Sequence, residues 1–270
     1  MVIYASWQTD PVLIGGLLTL LLSYLLAVGP LRSRLAPGQP FPKGQAAWFT
    51  GGVIAMYLVD GSPLHDLAER YSLTMHMLQH TLLSYVVAPM LLAGLPVWVA
   101  RPLLLARGVR PVSRALLNPA VTFIVFSLAF SIWHLPNFYN PALTNSFIHH
   151  TQHLFFLTFS LMLWWPLMSR VPELPRPALG AQLVYLFALP IAQLPVFAAV
   201  TFSDYVLYPA YELAPRLFPL SALEDQALSG AFMNVAGQIA FGIPFIVIFF
   251  HWFRLGREHR AAHAGPAGVR

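Results

Sequence analysis

The sequence predicts an all-α, polytopic membrane protein of seven transmembrane helices, with the N-terminus outside and the C-terminus cytoplasmic. Three observations predict it. Only 9% of the 270 residues are charged and 57% are hydrophobic, whereas soluble domains carry roughly 25% charged residues. Seven apolar stretches approach the roughly 20 residues that a helix needs to cross a bilayer, and lipid excludes irregular backbone. Thirteen of the fifteen Lys and Arg residues fall on alternate connections, the pattern of loops retained in the cytoplasm.

The first stretch covers 11–30. MVIYASWQTD before it has no basic region and no A-x-A site follows, so it reads as a retained span rather than a cleaved signal. Arg32, Arg34 and Lys43 come next, then a short second stretch over 46–60. The third covers 73–99 and the fourth 117–135, separated by Arg101, Arg107, Arg110 and Arg114. The fifth, 146–168, is parted from the sixth, 178–201, by Arg170 and Arg176. The seventh covers 227–253 and leads to a tail with Arg254, Arg257, Arg260 and Arg270. Eight of the ten acidic residues fall on the other connections. The expected organisation is one membrane domain over 1–254 and a basic, disordered cytoplasmic tail over 255–270. Pro89, Pro190, Pro195 and Pro244 lie within spans and read as kinks that membrane helices tolerate. The net charge of +5 is accounted for by the inner loops, so no nucleic-acid partner is implied; the surroundings are membrane lipid. The absence of cysteine excludes disulfides, thiolate metal sites and thiol nucleophiles.

Histidine is the unexpected residue. HMLQH (76–80) opens the third stretch and HHTQH (149–153) the fifth. His76 and His80 are i and i+4, as are His149 and His153, so each pair shares a helix face and can grip one metal ion. His134 ends the fourth stretch. The seven-span topology puts these residues at one depth near the outer surface, where ionisable groups default to a functional reading. His150 points about 100° from His149 and reads as outside the group. His65, His251, His259 and His263 read as interfacial polar residues. Met75 and Met77 flank His76 on other faces and read as packing. Imidazoles suit copper, zinc, iron or nickel, and the residues alone do not choose among them. Gln79 and Gln152 precede the second histidine of each pair and could orient a ring. Asp60 ends the second stretch at the same level. Asp225 and Gln226 open the seventh, where an acid also suits a helix N-terminus.

Three segments, HMLQH…APMLLAGLP (76–96), WHLPNFYNPALTNSFIHHTQHLFFLTFSLMLWWP (133–166) and DQALSG (225–230), resemble in that order the multi-span CtaG family of cytochrome c oxidase assembly factors. The resemblance implies a non-enzymatic protein of the bacterial cytoplasmic membrane that supplies copper to the oxidase. Its partners would be oxidase subunits or a copper chaperone. The matching polar positions are His76, Gln79, His80, His134, His149, His153, Asp225 and Gln226. The metal ligands expected are His76, His80, His134, His149 and His153, with Gln79, Gln152, Asp60, Asp225 and Gln226 behind them. Zinc and haem iron remain the other candidate ions. A haem-binding electron-transfer protein is the chief alternative. A zinc hydrolase lacks an H-E-x-x-H motif, and a transporter lacks charge at mid-membrane.

Overall fold

A computed structural model describes residues 3–263, and all of its regular elements there are helical. Helix α1 (Pro11–Val28) starts behind Asp10, whose side chain accepts from the Val12 N–H at 2.8 Å. A single turn, α2 (Arg32–Leu35), leads to α3 (Lys43–Asp60). The short α4 (Pro63–Arg70) is capped by Ser62. Helix α5 (Leu73–Leu82) runs through a π-helical turn, Leu83–Val87, into α6 (Ala88–Gly94). Two short helices, α7 (Val97–Leu104) and α8 (Val109–Leu116), precede α9 (Pro119–Trp133). Next come α10 (Pro136–Thr144), α11 (Ser146–Met168), α12 (Leu179–Thr201), the single turn α13 (Pro209–Glu212) and α14 (Ala222–His263).

The seven-span expectation does not hold. Among the described residues, four helical segments are long and apolar enough to cross a membrane: Pro11–Val28, Leu73–Gly94, Leu179–Thr201 and Ala222–Glu258. A fifth is reached only by joining Val109–Leu116 to Pro119–Trp133 across a 77° bend. The expected second and fifth spans do form helices, α3 and α11. Both are too polar to qualify: α3 carries Lys43, Gln45 and Asp60, and α11 spends His149, His150, Thr151, Gln152 and His153 in its first turns. The expected fourth span fails on length, because Asn118 restarts the chain as the cap of α9, which has only 15 residues. The placement of the N-terminus outside and the C-terminus in the cytoplasm rested on basic connections alternating across seven spans, and a count of four or five fixes neither terminus. Residues 255–263 of the expected tail continue α14; 264–270 lie outside the described residues.

The helices of the bundle turn apolar residues both inward and outward. Leu18, Leu22, Val184, Phe187, Ile191, Ile243, Val247 and Phe250 are exposed on α1, α12 and α14, a hydrocarbon-facing surface for a membrane protein. Glycine sets two close approaches. A side chain at Gly94 would strike the backbone of Phe49, and one at Gly230 would strike Thr201, so α6 packs closely on α3 and α14 on α12.

The π turn has a local cause and a local remedy. Ala88 N–H reaches back five residues to Leu83 O, and the next bond of that register would need an N–H on residue 89. Residue 89 is proline and has none. The indole N–H of Trp164 on α11 donates to Ser84 O at 2.9 Å instead. The site-bearing helices α5 and α11 are thereby joined by a buried bond.

Candidate metal site

Three anchors position the site. Asp225 of α14 accepts from Leu73 N–H at 2.7 Å, Thr74 Oγ1 at 2.6 Å and Ser72 Oγ at 3.0 Å. It thus satisfies the free amides at the start of α5 and sets His76 in the first turn. Asn145 accepts from Phe147 and Ile148 N–H at 3.0 and 3.1 Å, fixing the start of α11 and the phase of His149 and His153. Pro63 and the Ser62 cap start α4, which carries His65 and Glu69 one turn apart on one face.

The rings meet. Centroids of His65 and His149 are 5.3 Å apart, His149 and His153 4.3 Å, His153 and His80 5.2 Å, and His80 and His76 4.4 Å. Glu69 lies among them: Oε1 is 2.9 Å from His76 Nδ1 and Oε2 3.3 Å from His149 Nδ1. These are ion-pair distances without hydrogen-bond alignment, since Glu69 Oε1 and His149 Nδ1 have no such partner. His65, Glu69 and His149 offer one ligand atom each, all within 4.8 Å of one another. A buried His/Glu cluster able to coordinate a metal ion is therefore present.

The outer contacts of the rings fix which nitrogen is free. His153 Nδ1 lies 3.1 Å from Asp60 Oδ1, and a carboxylate accepts, so this nitrogen carries the proton. His134 Nδ1 donates to Phe130 O at 2.7 Å. Tyr211 Oη stands 2.9 Å from Ala68 O and 3.2 Å from His76 Nδ1. Its single proton goes to the carbonyl, which leaves Nδ1 of His76 as the donor to the hydroxyl. His76 Nε2 and His153 Nε2 are buried with no partner, as are both ring nitrogens of His80. An Nδ1–H held by carboxylate or carbonyl with Nε2 left bare is the arrangement of a ligating histidine.

Several expected residues play other parts. Gln79 reaches Val59 O, Asp60 Oδ1 and His65 Nδ1, each at 3.1 Å, so it ties α5 to α3 and α4 and contacts the ring of His65 rather than that of its neighbour His80. Gln152 is buried with its Oε1 unpartnered. His134 packs on Phe130 and Phe156 and lines a small cavity with His80. Asp225 and Gln226 do not reach the histidines. Asp225 anchors α5, and Gln226 Oε1 accepts from Leu207 N–H at 2.7 Å. His150 pairs with Asp10 at 2.9 Å on the half-exposed rim.

Sequence reasoning missed His65 and Glu69. It counted His65 as interfacial and gave Glu69 no role, although the two repeat the i, i+4 spacing that marked the other pairs. Burial pushes the Glu69 carboxyl up, but the imidazoles of His76, His149 and His153 outweigh it and hold the group at about 2. Burial lowers His65 below its usual value. At neutral pH the group therefore presents an ionised carboxylate beside a neutral His65 ring, both in the form a cation needs.

A family model described as cytochrome c oxidase caa3 assembly factor (Caa3_CtaG) matches residues 22–255. The chain belongs to this family. CtaG proteins are assembly factors rather than catalysts, which places this protein in the biogenesis of the respiratory chain and among the machinery that assembles the oxidase. The match runs through every helix that carries a residue of the cluster, α3, α4, α5, α9 and α11. No curated protein and no solved structure matches the chain.

Proposed function

We propose that this CtaG protein binds a copper ion in the His/Glu cluster and supplies it to cytochrome c oxidase during assembly, in the cytoplasmic membrane of a bacterium. The ion is cargo. His65, Glu69 and His149 receive it, and His76, His80, His153 and His134 extend the donor set into the bundle. The observation that carries the reading is Glu69 set between Nδ1 of His76 and of His149, in a cluster where Nε2 of His76 and of His153 are buried with no hydrogen-bond partner among the described residues. Unpaired polar atoms are costly in an apolar interior, and an ion that they coordinate removes that cost. A copper chaperone on one side and an oxidase subunit on the other are the partners this role requires.

The donor set of two imidazoles and a carboxylate also suits zinc, so the experiment reads copper in the target. Cells lacking the protein are complemented with wild type or with the Glu69→Gln/His149→Ala variant, and copper is measured per oxidase. Wild type restores it and the variant, present in the membrane at equal level, does not. Equal copper in both refutes the proposal.

A second reading is favoured by one feature. A cavity of about 500 Å³ between α1, α3 and α11 reaches His65, His149, His150 and His153, room enough for a haem. A haem ligated there gives the purified protein a Soret band; a spectrum without one removes this reading.

A further inference from the structure

A smaller cavity, of about 20 Å³, is lined by His80 and not by Glu69. It has space for one water or one bare ion. Two thioethers and two imidazoles line it, Met77 and His80 of α5, His134 at the end of α9 and Met233 of α14, beside the hydroxyls of Thr81, Ser84 and Tyr85. Met77 and His80 are three residues apart and share a helix face. Met77 is fully buried, while His80 and Met233 are each 5% exposed. Neither ring nitrogen of His80 has a partner. His134, its Nδ1–H held by Phe130 O at 2.7 Å, keeps its Nε2 lone pair. Phe130 lies tilted against His134 and Phe156 edge-on against His80, with ring centroids 4.2 and 4.3 Å apart. A carboxylate is absent from the lining.

We infer that this cavity is a second coordination site, built from two thioethers and two imidazoles and selective for a soft monovalent cation, Cu(I). Thioether sulfur prefers Cu(I), whereas carboxylate oxygen suits harder divalent ions. The two sites therefore differ in kind. The one containing Glu69 takes divalent ions, and the thioether site discriminates against them. His80 stands between the two, 4.4 Å from His76 and 5.2 Å from His153 by ring centroids. The ion is bound as supplied, with no change of oxidation state. The inference rests on the copper reading above for its cargo and shares His80 and His134 with it, while Met77 and Met233 belong to the second site alone.

The test uses the purified full-length protein. Cu(I) or Ag(I), under reductant, and Zn(II) are titrated against competing chelators, and the Cu(I) form is examined by X-ray absorption. The Met77→Leu/Met233→Leu variant keeps side-chain volume. Wild type is expected to show sulfur bonded to copper. The variant loses that signal and at least tenfold in Cu(I) and Ag(I) affinity, with Zn(II) affinity unchanged. Glu69→Gln shows the converse, weakened Zn(II) and retained Ag(I). Copper bound only through nitrogen and oxygen in the wild type overturns the site, and so does equal Cu(I) affinity in wild type and the methionine variant. A Zn(II) affinity that falls along with Cu(I) in that variant overturns the selectivity. A Zn(II) affinity unmoved by Glu69→Gln strikes the carboxylate site instead and leaves the sulfur result to support the thioether site.

Discussion

Glu69 Oε1 stands 2.9 Å from Nδ1 of His76, a carboxylate from a short connecting helix set against an imidazole in the first turn of α5. His149 approaches the other carboxylate oxygen from α11 at 3.3 Å. One acidic side chain thus joins α4 to the next helix, α5, and to α11, remote in sequence, and its charge answers a cation.

Removing that charge tests it first. Glu69→Gln keeps the shape and loses the anion, and divalent-metal affinity is expected to fall about 10–100-fold, the range for altering a metal site's close partners. His150→Ala, whose ring pairs with Asp10 on the rim, is expected to leave affinity within twofold. Chelator competition on both variants reads the contrast.

Asp225 is expected to matter for stability rather than for the metal. Its carboxylate takes Leu73 N–H and the Ser72 and Thr74 hydroxyls while buried. Asp225→Ala strands those donors, at a cost of about 3 kcal/mol on the scale of charged hydrogen bonds. A lowered Tm in detergent checks it, and metal stoichiometry measured well below that Tm is expected to stay at the wild-type value.

Trp164→Phe removes the donor to Ser84 O and leaves a buried carbonyl unpaired in the π turn. The expected loss is about 1–3 kcal/mol, again read as Tm. A second donor cannot come from the helix, because Pro89 occupies the position that would supply it.

The pH dependence has a definite sign. The folded-state value of Glu69 is depressed to about 2, so the stability it contributes is present above the ordinary glutamate range and is lost only as pH falls toward 2. His65 is also depressed. Its contribution is present above pH about 6.5 and declines below that, where the unfolded chain takes up the proton first. Metal-free protein is therefore expected to lose stability from pH 6.5 downward and to lose more as pH approaches 2. Thermal melts across that range check both steps.

The sequence made part of this site legible. The i, i+4 spacing of His76 with His80 and of His149 with His153 is geometry a helix imposes, and the structure brings those rings together. His65 and Glu69 carry the same spacing, but they lie in an eight-residue helix that no apolar run announces. Asp225 stands out in the sequence, but its role as the anchor of α5 was beyond sequence reasoning because the amide it serves, on Leu73, is 152 residues away. Met77 was compared with His76, its neighbour, when the face it shares belongs to His80. The count of seven spans failed for a related reason. Apolar runs were scored by length, and α11 spends its polar residues on the cluster while α3 brings Asp60 to it and begins with Lys43 and Gln45.

The most direct measurement of the central claim is the position of a bound ion. A structure of the copper-loaded protein, with anomalous scattering recorded at the copper edge, is expected to place the ion within about 2–2.3 Å of ligand atoms from His65, Glu69 and His149 or from the rings adjoining them. Density for copper only at the protein surface, or none at full loading, contradicts it.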